Sequence, residues 1–127
     1  GATLEPMTSC FILKKDQVLI SLSSLDFSFI MEDSIGDVFK LLFLNKMKVN
    51  LIQNSAISFS VCVDNNFNRL EELLNKLRGK FRVTWNEGVT LYTIRHTTPK
   101  EIASFLNGKT MLLKQENRET VQLVIKE

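Results

Sequence analysis

The chain has 127 residues, of which 44% are hydrophobic and 24% charged, and its formal net charge is +2. This length and apolar content suffice for a packed core and predict one domain or two very small ones. Positive and negative residues are interspersed, which argues against the basic stripe of a nucleic-acid binder. No apolar stretch is long enough to cross a bilayer and no secretory signal opens the chain, so we expect no membrane partner.

Two cysteines and one histidine are the candidate soft-metal ligands. Cys10 and Cys62 do not form a CxxC pair, and His96 has no Cys or His near it in the sequence. We therefore expect no metal site. Both cysteines lie in apolar runs and are predicted to be core residues, which requires no oxidising compartment. The cytoplasm is the expected location.

Two short apolar runs, residues 10–13 and 18–23, open the chain. Charged residues 14–16 separate them, so they are predicted as two strands. The loop over residues 24–34 is unusually apolar, because it carries Phe27, Phe29, Ile30 and Met31 between acidic residues. We interpret these side chains as core packing under the loop or as a hydrophobic dimer surface.

A helix is predicted from Asp33 to Met47, since apolar residues recur there at helical spacing. Asp33 or Ser34 is the predicted N-cap. Strands at residues 49–53 and 57–63 follow, joined by a turn at Asn54–Ser55.

A second helix carries the apolar stripe Phe67, Leu70, Leu73, Leu74 and Leu77. Asn66 or Asn68 is its predicted N-cap, and Gly79 its predicted C-terminal cap. A strand at residues 81–85 then completes the order βαββαβ over residues 16–87. This order predicts a ferredoxin-like unit, with an antiparallel sheet and both helices on one face. We interpret Trp85 as an interdomain packing residue.

The remaining residues repeat part of this pattern. Thr98 is predicted to cap a short helix, with Pro99 at its first position and Glu101 at the capping-box position. Three strands accompany it, at residues 89–95, 110–115 and 120–125. These elements are too few for an independent core. We therefore expect the first strand of the chain to join them, which would insert the first unit within the second.

Several motifs in this order resemble the regulatory region of aspartate kinases, which consists of ACT domains. Residues 49–61 match the pattern V-[DN]-[LM]-I-x-x-S-x-x-[ST], and residues 36–39 match the helix start x-x-[IV]-F. Residues 82–89 resemble the boundary between the first and second ACT domains. Residues 1–4 resemble the Gly-x-Thr-[IL] junction that follows the catalytic domain. The resemblance covers nearly the whole chain.

The resemblance implies an α+β fold of two ferredoxin-like ACT domains, with antiparallel sheets and helices on one face. The first domain would comprise residues 16–87. It would lie within a shortened second domain of residues 8–15 plus 88–127.

The resemblance also implies a regulatory function. Aspartate kinases are phosphotransferases that convert ATP and L-aspartate to 4-phospho-L-aspartate, the first step of lysine, threonine and methionine biosynthesis. Their ACT domains mediate dimerisation and amino-acid feedback control. The implied partners are an amino-acid effector (lysine, threonine or another), a second copy in a homodimer, and an upstream kinase domain. No nucleic acid is implied.

This chain carries no Walker-type phosphate loop, HExxH or GxSxG motif. We therefore expect it to be non-catalytic and to hold no cofactor. ATP and Mg²⁺ are expected only in the catalytic domain of the parent enzyme.

Carried over residue by residue, the resemblance implies an effector site with two sides. One side is the loop and helix start that follow the first strand, and the other is the strand and turn that follow the first helix. The implied site residues are Asp26, Phe27, Ser28, Asp33, Ser34, Ile35, Asn50, Gln53, Asn54 and Ser55. An amino acid's carboxylate suits the backbone N–H groups of a helix N-terminus, and its ammonium suits carbonyls, amides or a carboxylate such as Asp26.

Asn50 and Ala56 depart from lysine-sensing relatives, which typically carry acidic residues at both positions. These departures argue against lysine recognition of the usual kind. They leave open a different amino acid as effector, or a dimerisation module that binds none. The polar residues of the turn also fit plain turn-forming roles. An RNA-binding ferredoxin-like domain is a weaker alternative, because the sheet lacks paired aromatics and a basic face.

Overall fold

The structure is a computed structural model. It describes residues 11–26, 28–30, 32–65, 68–95 and 98–127, apart from the side chain of Phe11. The elements in these ranges are β1 (Phe11–Ser24), α1 (Glu32–Leu44), β2 (Val49–Asn54), β3 (Ser58–Asp64), α2 (Leu70–Arg78), β4 (Phe81–Arg95), α3 (Pro99–Leu106), β5 (Thr110–Glu116) and β6 (Thr120–Lys126). No helix in these ranges is both long and apolar enough to span a membrane.

The chain divides into two compact units. The first unit is Gln17–Glu87, and the second combines the described part of residues 1–16 with residues 88–127. The strand order is β2-β3-β1-β4 in the first unit and β4-β6-β5 in the second. β1 and β4 each contribute residues to both units. Whether each unit is an ACT domain in function stays a prediction.

In the first unit, α1 and α2 cover the same face of the sheet. Alternate residues of the paired strands β1 and β3 point to this face, because side chains on a strand alternate with a period of two. The antiparallel register sets Val18 opposite Val63 and Ile20 opposite Val61. The buried core is completed by Leu22, Phe59, Val38, Leu42, Met47, Leu70, Leu73, Leu74, Leu77 and Phe81. The predicted α+β fold with helices on one face is confirmed.

In the second unit, α3 packs over β4 and β6. Its Ile102 is buried among residues of the two strands, namely Tyr92, Ile94, Val121, Leu123 and Ile125. The start of α3 is as predicted. The backbone N–H of Glu101 donates to Oγ1 of Thr98 at 3.2 Å, and Pro99 occupies the first helical position. This capping bond satisfies a backbone donor that has no partner within the helix.

Two predicted strand breaks are wrong. The described part of the first run, residues 11–13, belongs to the same strand, β1, as the run at residues 18–23, and Cys10 lies outside the described residues. The runs at residues 81–85 and 89–95 likewise belong to one strand, β4. Each long strand instead contains a residue with positive φ, Asp16 at 57° and Gly88 at 64°. A single residue in this conformation bends a strand, as in a β-bulge, without ending it.

The N-terminal caps of the first two helices also differ from prediction. α1 begins at Glu32, so Asp33 and Ser34 lie in its first turn and neither is the N-cap. Arg69 precedes α2 and its side chain makes no capping hydrogen bond, so Asn68 is not the cap, and Asn66 lies outside the described residues.

The C-terminal ends of these helices follow two different patterns. α1 ends at Leu44, and the amide of buried Asn45 donates to the Leu41 carbonyl at 2.8 Å. Gly79 ends α2 as predicted, but with φ −66° rather than the left-handed conformation common for a capping glycine.

A polar cluster of buried Gln17 and half-buried Asn50 and Asp64, called the buried cluster below, closes one end of the first unit's sheet. Gln17, only 2% exposed, donates to Oδ1 of Asp64 at 2.7 Å. The amide of Asn50 donates to the same oxygen at 2.6 Å and to Oε1 of Gln17 at 2.7 Å. Buried Cys62 lies beside this cluster, and its burial, followed by the negative charge of Asp64, raises its pKa to about 12. The thiol is thus a neutral core group, in agreement with its predicted role.

We predict that Asn50→Asp destabilises the fold in a pH-dependent manner. The new carboxylate would face that of Asp64 and remove the amide donor, which we expect to cost about 2–3 kcal/mol at pH 7. Repulsion between the two carboxylates raises their pKa in the folded state above the value in the unfolded chain. The loss of stability is therefore present at pH values above the folded-state pKa and fades as the pH falls through it. Urea midpoints at pH 7 and pH 4 measure this.

The matched control for this substitution is Asn54→Asp, on the same strand but exposed. Its effect should stay within about 0.5 kcal/mol at both pH values. Equal effects of the two substitutions would contradict a structural role for the cluster.

Gly88 and Gly36 offer a second test, because a Cβ added at either position meets no atom within 4 Å. Gly88→Ala should destabilise by about 1 kcal/mol, since L side chains are strained at positive φ. Gly36→Ala lies within α1 and should stabilise by about 0.5–1 kcal/mol through helix propensity. Denaturant unfolding measures the change in the free energy of unfolding for each variant. Changes of the same sign in the two variants would contradict the observed backbone conformation at Gly88.

Candidate effector site

The loop between β1 and α1 carries the first part of the predicted site. The backbone N–H and the hydroxyl of Ser28 both donate to Oδ1 of Asp26, at 3.1 and 2.6 Å. The Ser24 hydroxyl donates to the Ser28 carbonyl at 2.7 Å. The bonds from the side chain and then the backbone of Ser28 hold the pKa of Asp26 below its usual value. The loop therefore presents an ionised carboxylate to solvent. Phe27 lies outside the described residues.

The first turn of α1 is acidic, because it contains Glu32 and Asp33. Both side chains are exposed. They complement the positive end of the helix dipole and repel a ligand carboxylate placed there. Ser34 is half-buried, and Ile35 packs against the core of the first unit, so its side chain is engaged in packing.

The turn between β2 and β3 carries the second part. Gln53, Asn54 and Ser55 are exposed. The Ser55 backbone N–H donates to the Ser58 carbonyl at 2.9 Å, and the two hydroxyls lie 2.8 Å apart. Ser55 thus stabilises the turn, while Gln53 and Asn54 present amides on the edge strand.

One backbone hydrogen bond brings these two parts together. The N–H of Ile30 donates to the carbonyl of Ala56 at 3.1 Å, so the end of the loop runs beside the turn. Phe29 and Ile57, 68% and 57% exposed, flank this contact. The loop and the turn therefore lie side by side and form an open, polar surface with apolar flanks, and its role as an effector site stays a prediction.

Asn50 does not belong to this surface. It lies four residues before Asn54 on β2, which is about 13 Å along a strand. Its amide is engaged with Gln17 and Asp64 in the buried cluster. The structure therefore separates Asn50 from the loop, and its observed contacts are structural.

Comparison with known proteins identifies the fold. Escherichia coli aspartokinase III in complex with lysine and aspartate matches 90% of this chain with a TM-score of 0.68 and 21% identity. A putative C-terminal regulatory domain of aspartate kinase from Porphyromonas gingivalis matches 91%, with a TM-score of 0.72 and 14% identity. Clostridium acetobutylicum aspartate kinase matches 91%, with a TM-score of 0.75 and 8% identity.

The chain spans 28% of the aspartokinase III chain and 30% of the Clostridium chain, but 84% of the Porphyromonas domain. No family model matches the sequence. No curated protein matches it either. The chain has the fold of the regulatory region of aspartate kinases, as its motifs predicted.

Proposed function

We propose that this chain is the amino-acid-sensing regulatory region of an aspartate kinase. The observation that carries the proposal is the fold shared over nine-tenths of the chain with regulatory regions of that enzyme, one of them a domain of similar length. The parent enzyme would transfer phosphate from ATP to L-aspartate in amino-acid biosynthesis. ATP and Mg²⁺ would bind in a separate kinase domain and not in this chain.

We place the effector between the β1–α1 loop and the β2–β3 turn. The ionised Asp26 and the acidic first turn of α1 suit the effector's ammonium group. The exposed amides of Gln53 and Asn54 suit its carboxylate. This orientation differs from the expectation, drawn from general chemistry, that the carboxylate lies at the helix N-terminus, because Glu32 and Asp33 repel an anion there. Lysine, threonine and other amino acids all carry the two groups that this arrangement requires.

A homodimer through the first unit is part of the proposal. This unit exposes large apolar side chains on α1, on edge strand β2 and on the two adjoining loops. Phe43 is 80% exposed, and Phe29, Leu44, Ile52 and Ile57 are also exposed. Apolar groups of this kind commonly mark protein–protein contacts. Among the described strands of the unit β2 is the outermost, and none of them pairs with its outer edge, which suits that edge to association with a second copy.

The second candidate function is a dimerisation module that binds no effector. The hydrogen bonds of Asn50 in the buried cluster favour this candidate, because the amide that the resemblance implies for ligand binding already donates to Gln17 and Asp64. The two candidates share the dimer and differ in ligand response.

We predict that the chain binds an amino acid through the charge of Asp26. Calorimetry with lysine, threonine and methionine should show binding, and Asp26→Asn should weaken it about tenfold, since a charge-assisted contact is lost. Asp26 is exposed, so the variant should fold normally. The matched control is Asp37→Asn, because Asp37 is an exposed carboxylate in α1 that pairs with Lys80 at 3.2 Å.

Sedimentation with and without amino acids separates the alternatives. A dimer with no heat of binding and no ligand response would support the second candidate and overturn the first. A monomer at a protein concentration of about 50 µM would count against both, since it would place the dimer Kd well above that value.

A further inference from the structure

An open cleft of about 410 Å³ lies along α2 in the first unit. It is lined by residues of α2, by the end of the first-unit part of β4, and by Asn65 and Asn68. Its volume lies in the range of small-molecule pockets. None of its lining residues belongs to the loop or turn of the candidate effector site.

The floor of the cleft is apolar and one wall is aromatic. Leu70 and Leu74 line it and are 8% and 3% exposed. The Trp85 ring, 38% exposed, faces the Arg78 guanidinium carbon at 4.8 Å from the ring centroid. Nη1 of Arg78 also donates to Oδ1 of Asn75 at 2.9 Å. These two contacts fix the guanidinium at the cleft and leave its other N–H groups able to donate.

Opposite charges converge on the same cleft. Glu71 precedes Arg78 by seven residues, which places both on one face of α2 two turns apart. Among the described residues, the Glu71 carboxylate has no hydrogen-bond or ion-pair partner, and the Trp85 indole N–H donates to none. Glu87 adds a second carboxylate to the lining.

We propose that this cleft binds a small zwitterion with an apolar side chain, of which a free α-amino acid such as L-leucine is the simplest. An isolated anion can pair with Arg78 but faces the charges of Glu71 and Glu87, and an isolated cation can pair with a carboxylate but faces Arg78. Neither ion complements both signs of the lining. A zwitterion can place its carboxylate on Arg78 and its ammonium on Glu71. Its side chain would lie over Leu70, Leu74 and the Trp85 ring, removing apolar surface from water.

This cleft is distinct from the proposed effector site. Arg82, near the start of β4, donates to the Leu25 carbonyl at 3.4 Å, so that end of β4 lies beside the loop. Glu87 lies five residues further along β4, about 17 Å along the strand. The two proposals can therefore fail independently.

Trp85 makes the test specific, because it is the one tryptophan of the sequence. L-leucine should shift the indole N–H resonance of Trp85 and change its fluorescence, with saturation at a Kd of about 1 mM. L-leucinamide lacks the anion, N-acetyl-L-leucine lacks the cation and glycine lacks the apolar group. Each should bind at least about fivefold more weakly, as loss of one partly exposed contact implies.

Glu71→Gln should weaken L-leucine binding about fivefold. Glu72→Gln is the matched control, because Glu72 is the next residue of α2, pairs with Arg69 at 3.6 Å and does not line the cleft. Both side chains are exposed, so both variants should fold. Asp26→Asn, which tests the effector site, should leave the Trp85 response unchanged.

Three results would overturn the proposal. The first is an unchanged Trp85 resonance at about 10 mM L-leucine, ten times the expected Kd. The second is equal binding of L-leucine and its singly charged analogues, or equal effects of Glu71→Gln and Glu72→Gln. The third is loss of the Trp85 response in Asp26→Asn, which would indicate a single site elsewhere.

Discussion

The antiparallel pairing of β1 with β3 is the constraint on which the first unit depends. Val18, Ile20 and Leu22 face the same side as their partners on β3, and both helices pack on that side. A slip of one residue would turn this apolar set to the opposite face and leave the helices without a partner surface. The cluster of Gln17, Asn50 and Asp64 closes the end of the same ladder, because its hydrogen bonds form only in this register.

The same pairing decides where polar groups can act. β1 ends beside the turn between β2 and β3, so the loop after β1 reaches that turn through the bond from Ile30 to Ala56. Asn50 lies at the opposite end of β2, where its amide serves the buried cluster. One end of the sheet thus carries an open polar surface suited to a ligand, and the other carries satisfied polar groups suited to structure.

The proposed regulatory function requires a ligand to bind two states of the parent enzyme with different affinity. An effector held between a loop and a turn, beside exposed apolar residues such as Phe29 and Ile57, can change the packing of those residues against a second copy. The cleft at Trp85 would add a second ligand on the same unit. Linkage then requires any effect of one ligand on the other's binding to be reciprocal.

The sequence alone determined the elements whose signals are local. The leucine stripe of α2, the alternation of β3 and the capping by Thr98 follow from periodicity and short-range hydrogen bonding. The charged residues 14–16 suggested a strand break, and residues 81–85 and 89–95 were predicted as separate strands. Pairing with neighbouring strands overrides such local signals, so β1 and β4 are each continuous. Only the tertiary structure shows that Asn50 lies away from the loop and that Glu71, Arg78 and Trp85 line one cleft. Periodicity specifies which face of a helix or strand is buried. Contacts between polar side chains that are far apart in the sequence depend instead on how separate elements pack.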